Sequence, residues 1–206
     1  MMRKIITIIF IFVSIFFFTS CNRNAGNGTV DTTYKPNDTI EIIKNPNNDS
    51  KSIVIYFSRT NNTEKIANFI VDLKNADKFE IEAKIPYTDD DINYKTNCRA
   101  NDEQANPEAR PEIAGYKMDF SSYEIIYLGY PIWHTQAPKI MYTFVESYDL
   151  TGKTIIPFCT SKSSTIGDSA TNLEALTHQG TWLMGKRFYS TSSKEDVSEW
   201  LDSISL

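Results

Sequence analysis

Apolar residues fall in two places along this chain: one unbroken run near the start, and a series of short runs from Lys51 onward that alternate with amphipathic stretches. In the series, Ser52–Phe57 is short, apolar and β-branched, and predicts a strand. Thr63–Leu73 sets Ile66, Phe69, Ile70 and Leu73 at helical spacing. Phe79–Ile85 alternates apolar with polar and predicts a strand with one exposed face. Glu124–Gly129 and Thr154–Cys159 are two further apolar strands, and Ala137–Tyr148 lies between them as a helix with Met141, Phe144, Val145 and Tyr148 on one side. Ser169–Thr177 predicts a helix, Trp182–Phe188 a weaker strand, and Val197, Trp200, Leu201 and Ile204 a last helix, with Ser192 and Glu195 as its capping box. Strand and helix thus alternate five times, which predicts an α/β fold with a parallel sheet. Uninterrupted apolar runs are expected of central strands covered on both faces, so 53–57, 125–128 and 155–158 belong in the middle. Right-handed crossovers then favour a doubly wound sheet.

The early run is of another kind. Arg3 and Lys4 precede Ile5–Phe18, 14 residues of which only Thr7 and Ser14 are polar. A helix of that length spans about 21 Å at 1.5 Å per residue, against about 30 Å for a bilayer core. A positive end, a short apolar run and small residues predict an export signal over residues 1–20. Thr19-Ser20-Cys21 resembles the lipobox of bacterial lipoproteins, which implies lipidation of Cys21 and an acyl anchor. Each buried CH₂ of such an anchor contributes about 0.8 kcal/mol. The expected location is thus outside the cytoplasm, lipid-anchored to a bacterial membrane and facing the periplasm. Residues 22–50 then turn polar. Seven of these 29 residues are Asn, and Tyr34 is their only aromatic, so the segment cannot offset its ordering entropy by burial. Residues 21–50 are expected to be a flexible tether, with a brief strand at Thr39–Ile43, and residues 51–206 the folded domain.

Composition narrows the chemistry. The whole chain has 21 basic and 26 acidic residues. Loss of Arg3 and Lys4 with the signal leaves 19 against 26, a net charge of −7. No basic run exists to grip nucleic-acid phosphates. Two His, three Cys and no Cys-x-x-Cys give little for a zinc site. Asp89-Asp90-Asp91 lacks the glycine and distal Glu of a calcium loop and is expected to be a solvated turn or helix start. There is no Gly-x-Ser-x-Gly of a hydrolase elbow. Residues 86–111 form a long polar insertion or lid. Export permits a Cys98–Cys159 disulfide, but Cys159 lies in a central apolar strand and is expected to be a buried thiol. His178 is expected at the surface.

In doubly wound sheets ligands bind beyond the carboxyl ends of the strands. After the first strand comes Ser58-Arg59-Thr60-Asn61-Asn62-Thr63, rich in hydroxyls and side-chain amides at a helix start. Free N–H groups and the helix dipole make such a place an anion site, while Asn, Ser and Thr there also serve as ordinary helix caps. It is neither a Walker loop nor a glycine-rich dinucleotide fingerprint. With the preceding Tyr56-Phe57 it resembles the phosphate loop of flavodoxin-like proteins, with Asn61 where that family has Gly. Asn tolerates positive φ well. Gly129-Tyr130-Pro131-Ile132-Trp133 resembles the family's Gly-x-Pro-x-Trp segment, which implies that Trp133 covers a flavin ring. His134 follows, either near the flavin edge or solvated. Thr160-Ser161-Lys162-Ser163-Ser164-Thr165-Ile166-Gly167-Asp168-Ser169 resembles the loop that wraps the flavin's polar edge. Lys162, Ser163 and Thr165 replace glycines, which are favoured where backbone approaches a ligand closely. Gly185-Lys186-Arg187-Phe188 and the last helix are also similar to this family.

The resemblance implies a five-stranded parallel sheet in the order 2-1-3-4-5 with helices on both faces. It implies FMN as cofactor, held by Ser58–Thr63, Tyr130–Trp133, Thr160–Ser163, Gly167 and Asp168, with Lys162 near the reduced flavin N1. The expected function is electron transfer by a membrane-anchored FMN protein to a redox partner protein, without a catalytic acid or nucleophile. Two alternatives stand beside it: an FMN-dependent NAD(P)H:quinone or flavin reductase, and a non-redox binding lipoprotein of the same fold that has lost flavin.

Overall fold

The computed structural model describes residues 41–206 apart from Ser50 and Tyr116. The expected signal and the lipidated Cys21 lie outside the described residues, as does the tether up to residue 40.

The strands are β1 (Ser52–Tyr56), β2 (Asp77–Glu80), β3 (Ile125–Pro131), β4 (Thr154–Thr160), β5 (Thr181–Trp182) and β6 (Lys186–Phe188). The helices are α1 (Asn62–Lys74), α2 (Arg99–Ala105), α3 (Lys139–Ser147), α4 (Ser169–Thr177) and α5 (Lys194–Asp202), with a 3₁₀ turn at Asp90–Ile92. All sheet pairings are parallel, in the order β2-β1-β3-β4-β5, with β6 also on β4. This is the order that the resemblance to flavodoxin-like proteins implies. One face packs Ile53, Ile55, Leu128 and Ile155 against Met141, Phe144 and Leu173 of α3 and α4. The other packs Val54, Tyr127 and Phe158 against Ile66, Ile70, Val197 and Trp200 of α1 and α5. Burial on both faces accounts for the continuous apolar runs.

The fifth strand departs from expectation, because it is broken in two. Trp182 pairs with Ile155 and Lys186 with Phe158, so three residues of β5–β6 face two of β4 between those pairs. Leu183 N–H donates to Ile155 O, so odd-numbered residues of β4 face this edge. Pro157 therefore turns its missing N–H toward the break, and the ladder has no donor there. Gly185 fits the gap: a Cβ on it would lie 2.7 Å from Pro157 O and 2.5 Å from the Ile166 side chain.

Other boundaries move as well, and the second strand runs Asp77–Glu80 rather than Phe79–Ile85. The capping box of α5 is Ser193 with Asp196 rather than Ser192 with Glu195; Ser193 Oγ accepts from Asp196 N–H, and the Asp196 carboxylate from Ser193 N–H. The last residues assigned to the tether are docked on β2. Ile43 and Lys78 exchange two backbone hydrogen bonds of 2.8 and 2.9 Å. Lys44 Nζ lies 3.1 Å from the buried Asp77 carboxylate and 2.6 Å from Tyr123 Oη. Tyr123 and the Asn45 N–H also donate to Asp77. Burial opposes the charge on Asp77, but these donors hold its carboxyl below its usual range.

Candidate functional site

The loops after β1, β3 and β4 meet at the carboxyl edge of the sheet, where a cavity of about 650 Å³ opens. That is within the usual range for a small-molecule pocket.

The loop after β1 supplies Thr60 and Asn62 to the wall. Asn61 takes φ 59°, a left-handed conformation, and begins α1 without a side-chain cap. The first N–H groups of a helix have no partner within it, and those ahead of Glu64 are left as donors for a ligand. Ser58 Oγ accepts from Glu64 N–H, and Asn62 Nδ2 donates to Thr60 Oγ1 at 3.0 Å. Thr63 is buried, and its hydroxyl meets that of Thr160 at 2.8 Å. Arg59 turns away from the cavity: Nε donates to Tyr87 O, and Nη2 pairs with Asp89 Oδ1 at 2.6 Å. Asp89 thus anchors the insertion to this loop.

The loop after β3 contributes Pro131, Ile132, Trp133 and His134. The Trp133 ring stands nearly perpendicular to Phe57 (84°, 5.6 Å) and Tyr87 (78°, 5.2 Å), which fixes its plane. Trp133 and Gln136 exchange two backbone hydrogen bonds of 2.9 Å across a tight turn. The turn residues His134 and Thr135 have φ 47° and 66°. Such a turn favours Asn or Gly, so its backbone is strained. Its surroundings hold it there. Gln104 Nε2 donates to Trp133 O and Ala137 O, Gln104 Oε1 accepts from Lys139 N–H, and Asn101 Oδ1 lies 2.7 Å from His134 Nε2.

After β4, Thr160, Ser161 and Lys162 line the cavity. Ser161 Oγ accepts from the N–H groups of Ser163 and Ser164, and Ser161 N–H donates to Phe188 O. From Thr160 to Asp168 only Gly167 has positive φ, 49°. Lys162, Ser163 and Thr165 therefore stand in backbone conformations open to any residue. Replacing glycine at these three positions does not strain this loop.

Eight of the expected cofactor residues thus share one wall: Thr60, Asn62, Pro131, Ile132, Trp133, Thr160, Ser161 and Lys162. Ser58, Asn61 and Thr63 shape the first loop from behind it, and Arg59 is committed to the insertion. Tyr130 is a core residue with no exposed surface, its hydroxyl 3.1 Å from Ser169 Oγ, and burial pushes its pKa up. Ser163, Gly167 and Asp168 lie off the wall; Asp168 is the residue before α4. The sequence reading missed Ile92, Tyr94, Ala100 and Asn101 of the insertion, and Ser190 beyond β6, all of which line the cavity. A tyrosine within a long polar insertion is the one signal the sequence offers.

Lys162 is the one lysine or arginine among the lining residues, and no carboxylate is among them. Behind the first loop, Tyr56 donates to Glu80 at 3.1 Å. Burial, with Glu64 and Glu82 nearby, still raises the Glu80 carboxyl to about 7. The two described cysteines, Cys98 and Cys159, are separate buried thiols, and burial pushes Cys159 to about 12.

A five-stranded arrangement in this order, with a ligand-sized cavity at the carboxyl ends of its middle strands, defines a doubly wound small-molecule-binding domain. The chain belongs to the flavodoxin family, whose profile matches residues 51–204. A proposed flavoprotein from Bacteroides eggerthii is 35% identical, covering 76% of this chain and 99% of its own, with a TM-score of 0.71. Another from Bacteroides uniformis is 32% identical over 75% and 99%, with a TM-score of 0.72. A flavoprotein from Lactobacillus acidophilus, solved in complex with FMN, shares the fold at a TM-score of 0.57 and 20% identity, over 74% and 99%. Among curated proteins there is no match.

Proposed function

We propose that this chain binds FMN and passes electrons to a redox partner while lipid-anchored to a bacterial membrane and facing the periplasm. The observation that carries the reading is the cavity's donor set. A helix start whose leading N–H groups are open, the hydroxyls of Thr60 and Ser161, one lysine and no carboxylate suit a phosphate and polar ring edge. The fixed plane of Trp133 suits a flat aromatic ring.

On this reading Thr60, Asn62 and the N–H groups of the α1 start hold the phosphate. Trp133 covers the ring and excludes water from one side. Thr160, Ser161 and Lys162 face its polar edge, and the Lys162 cation favours negative charge there. FMN, when bound, supplies the one- and two-electron chemistry. The remaining duty of the chain is to bind and orient it. Cys21 would carry the lipid, and the acidic mature chain would suit a basic partner surface.

A reductase on the same fold is favoured by one feature, the imidazole of His134 on the cavity rim beside Asn101. The two readings part in one assay: the FMN-loaded full chain is mixed with NADH or NADPH and a quinone. The carrier reading expects no rapid turnover, and fast nicotinamide oxidation overturns it. A flavin-free binding protein of the same fold draws on the glycines replaced after β4; Lys162, Ser163 and Thr165 have negative φ, so the replacements leave that backbone unstrained, and FMN titration separates the two readings.

A further inference from the structure

The insertion between β2 and β3 forms the fourth side of the cavity. Tyr94 lies on it, lines the cavity, and is 73% exposed, although most large rings among the described residues are buried. The segment Thr160–Asp168 contains no aromatic residue. Trp133 and Tyr94 are therefore the two aromatic side chains lining this cavity, one from the β3 loop and one from the insertion.

The insertion is fastened at both ends of the site. At the phosphate-loop end, Arg59 holds Tyr87 O and the Asp89 carboxylate. At the Trp133 end, the side chain of Asn101 works in two directions. Its Nδ2 donates to Thr96 O at 2.8 Å and reaches Tyr94 O at 3.5 Å, while Oδ1 lies 2.7 Å from His134 Nε2. Because Oδ1 is an acceptor only, His134 Nε2 carries the proton in this pair. Asn101 thus ties the Tyr94 segment to the strained turn next to Trp133.

We propose that Tyr94 is a second ring-binding residue for the flavin, that Trp133 and Tyr94 both contact the isoalloxazine, and that Asn101 is the positioning residue that holds Tyr94 at the cavity. The proposal rests on the FMN reading. Its physical basis is that an exposed phenol ring at a ligand-sized cavity gains burial and ring-on-ring contact when a flat ligand enters. Arg59, in binding the insertion instead of a phosphate, keeps that segment beside the ligand.

The test is an FMN titration of the full-length chain in detergent, read by quenching of flavin fluorescence, for the wild type, Tyr94→Ala, Tyr94→Phe and Asn101→Ala. Tyr94 is exposed, so its removal leaves the fold intact, and far-UV circular dichroism and thermal unfolding check this. The expected result is a Kd raised about tenfold by Tyr94→Ala, which is 1.4 kcal/mol, with weaker quenching of the bound flavin. Tyr94→Phe restores both, because the ring and not the hydroxyl makes the contact. Asn101→Ala gives a smaller rise in Kd and a broader ring environment for Tyr94 in NMR spectra. Unchanged Kd and quenching in Tyr94→Ala, with the wild type binding normally, overturn this inference and leave the FMN reading standing. Failure of the wild type to bind overturns both. Equal loss in Tyr94→Phe and Tyr94→Ala also overturns it, since it would assign the effect to the hydroxyl.

Discussion

Thr63 and Thr160 join hydroxyl to hydroxyl at 2.8 Å in the buried floor beneath the cavity. One residue belongs to the first turn of α1 and the other ends β4. This bond links the loop expected to hold phosphate to the loop expected to face the ring edge. Thr63→Val removes one partner and leaves the other hydroxyl buried and unpaired. The expected loss is about 1–3 kcal/mol of unfolding free energy, measured by urea denaturation. Thr63→Val with Thr160→Val together should cost less than the two single changes added, because the orphaned hydroxyl is then gone.

Stability should fall as pH rises through the weakly acidic range, and Glu80 is the reason. Its carboxyl sits near 7 in the fold, against an ordinary value of 4.5, so the folded state holds the proton more tightly than the unfolded chain. Below pH 4.5 both states are protonated and nothing is lost. Between about 4.5 and 7 the unfolded chain ionises first and gains. Above 7 the full penalty is present. With solvent screening of the part-exposed carboxyl, the effect is on the order of 1–2 kcal/mol. Glu80→Gln should flatten this stretch of the stability curve in denaturation series at fixed pH values; an unchanged slope would remove Glu80 as its source.

The Lys44–Asp77–Tyr123 cluster fastens residues 41–49 to the edge of β2. Asp77→Ala strips Lys44, Tyr123 and the Asn45 N–H of their shared acceptor. A loss of about 2 kcal/mol is expected, with faster amide exchange at Ile43 and Asn45 than in the wild type. The folded Asp77 has a lowered pKa, so its contribution is present above about pH 4 and is lost as pH falls through the folded value.

The lipid anchor has a separate test. Cells fed labelled palmitate should incorporate label into this chain, and Cys21→Ala should abolish it. Label that persists in the variant, or never enters the wild type, defeats the anchoring proposal.

The sequence made the central sheet plain because β1, β3 and β4 are buried on both faces, and burial leaves a continuous apolar record. Asn61 was also readable, since few residues besides glycine accept the left-handed turn it makes. Other features depend on contacts distant in sequence. The break in the fifth strand comes from Pro157, 24 residues before Thr181. Tyr94 and Asn101 lie in a polar segment with no periodicity, and only its fastening through Arg59 and Gln104 brings them to the cavity. Arg59 looked like a phosphate ligand by position, yet the insertion claims it. Tyr130 sits inside the Gly-x-Pro-x-Trp resemblance, but strand alternation turns its ring into the core. Lys44 and Asn45 read as spacer because their composition is polar, while the backbone pairing of Ile43, the end of the expected brief strand, and a buried carboxylate dock them.

The measurement that bears most directly on the central claim is a titration of FMN with the purified full chain, followed by flavin fluorescence and by Trp133→Ala under the same conditions. The account predicts saturable quenching at one FMN per chain, a yellow protein after gel filtration, and an affinity at least tenfold weaker in Trp133→Ala. A colourless protein that leaves FMN fluorescence unchanged at every concentration would contradict it.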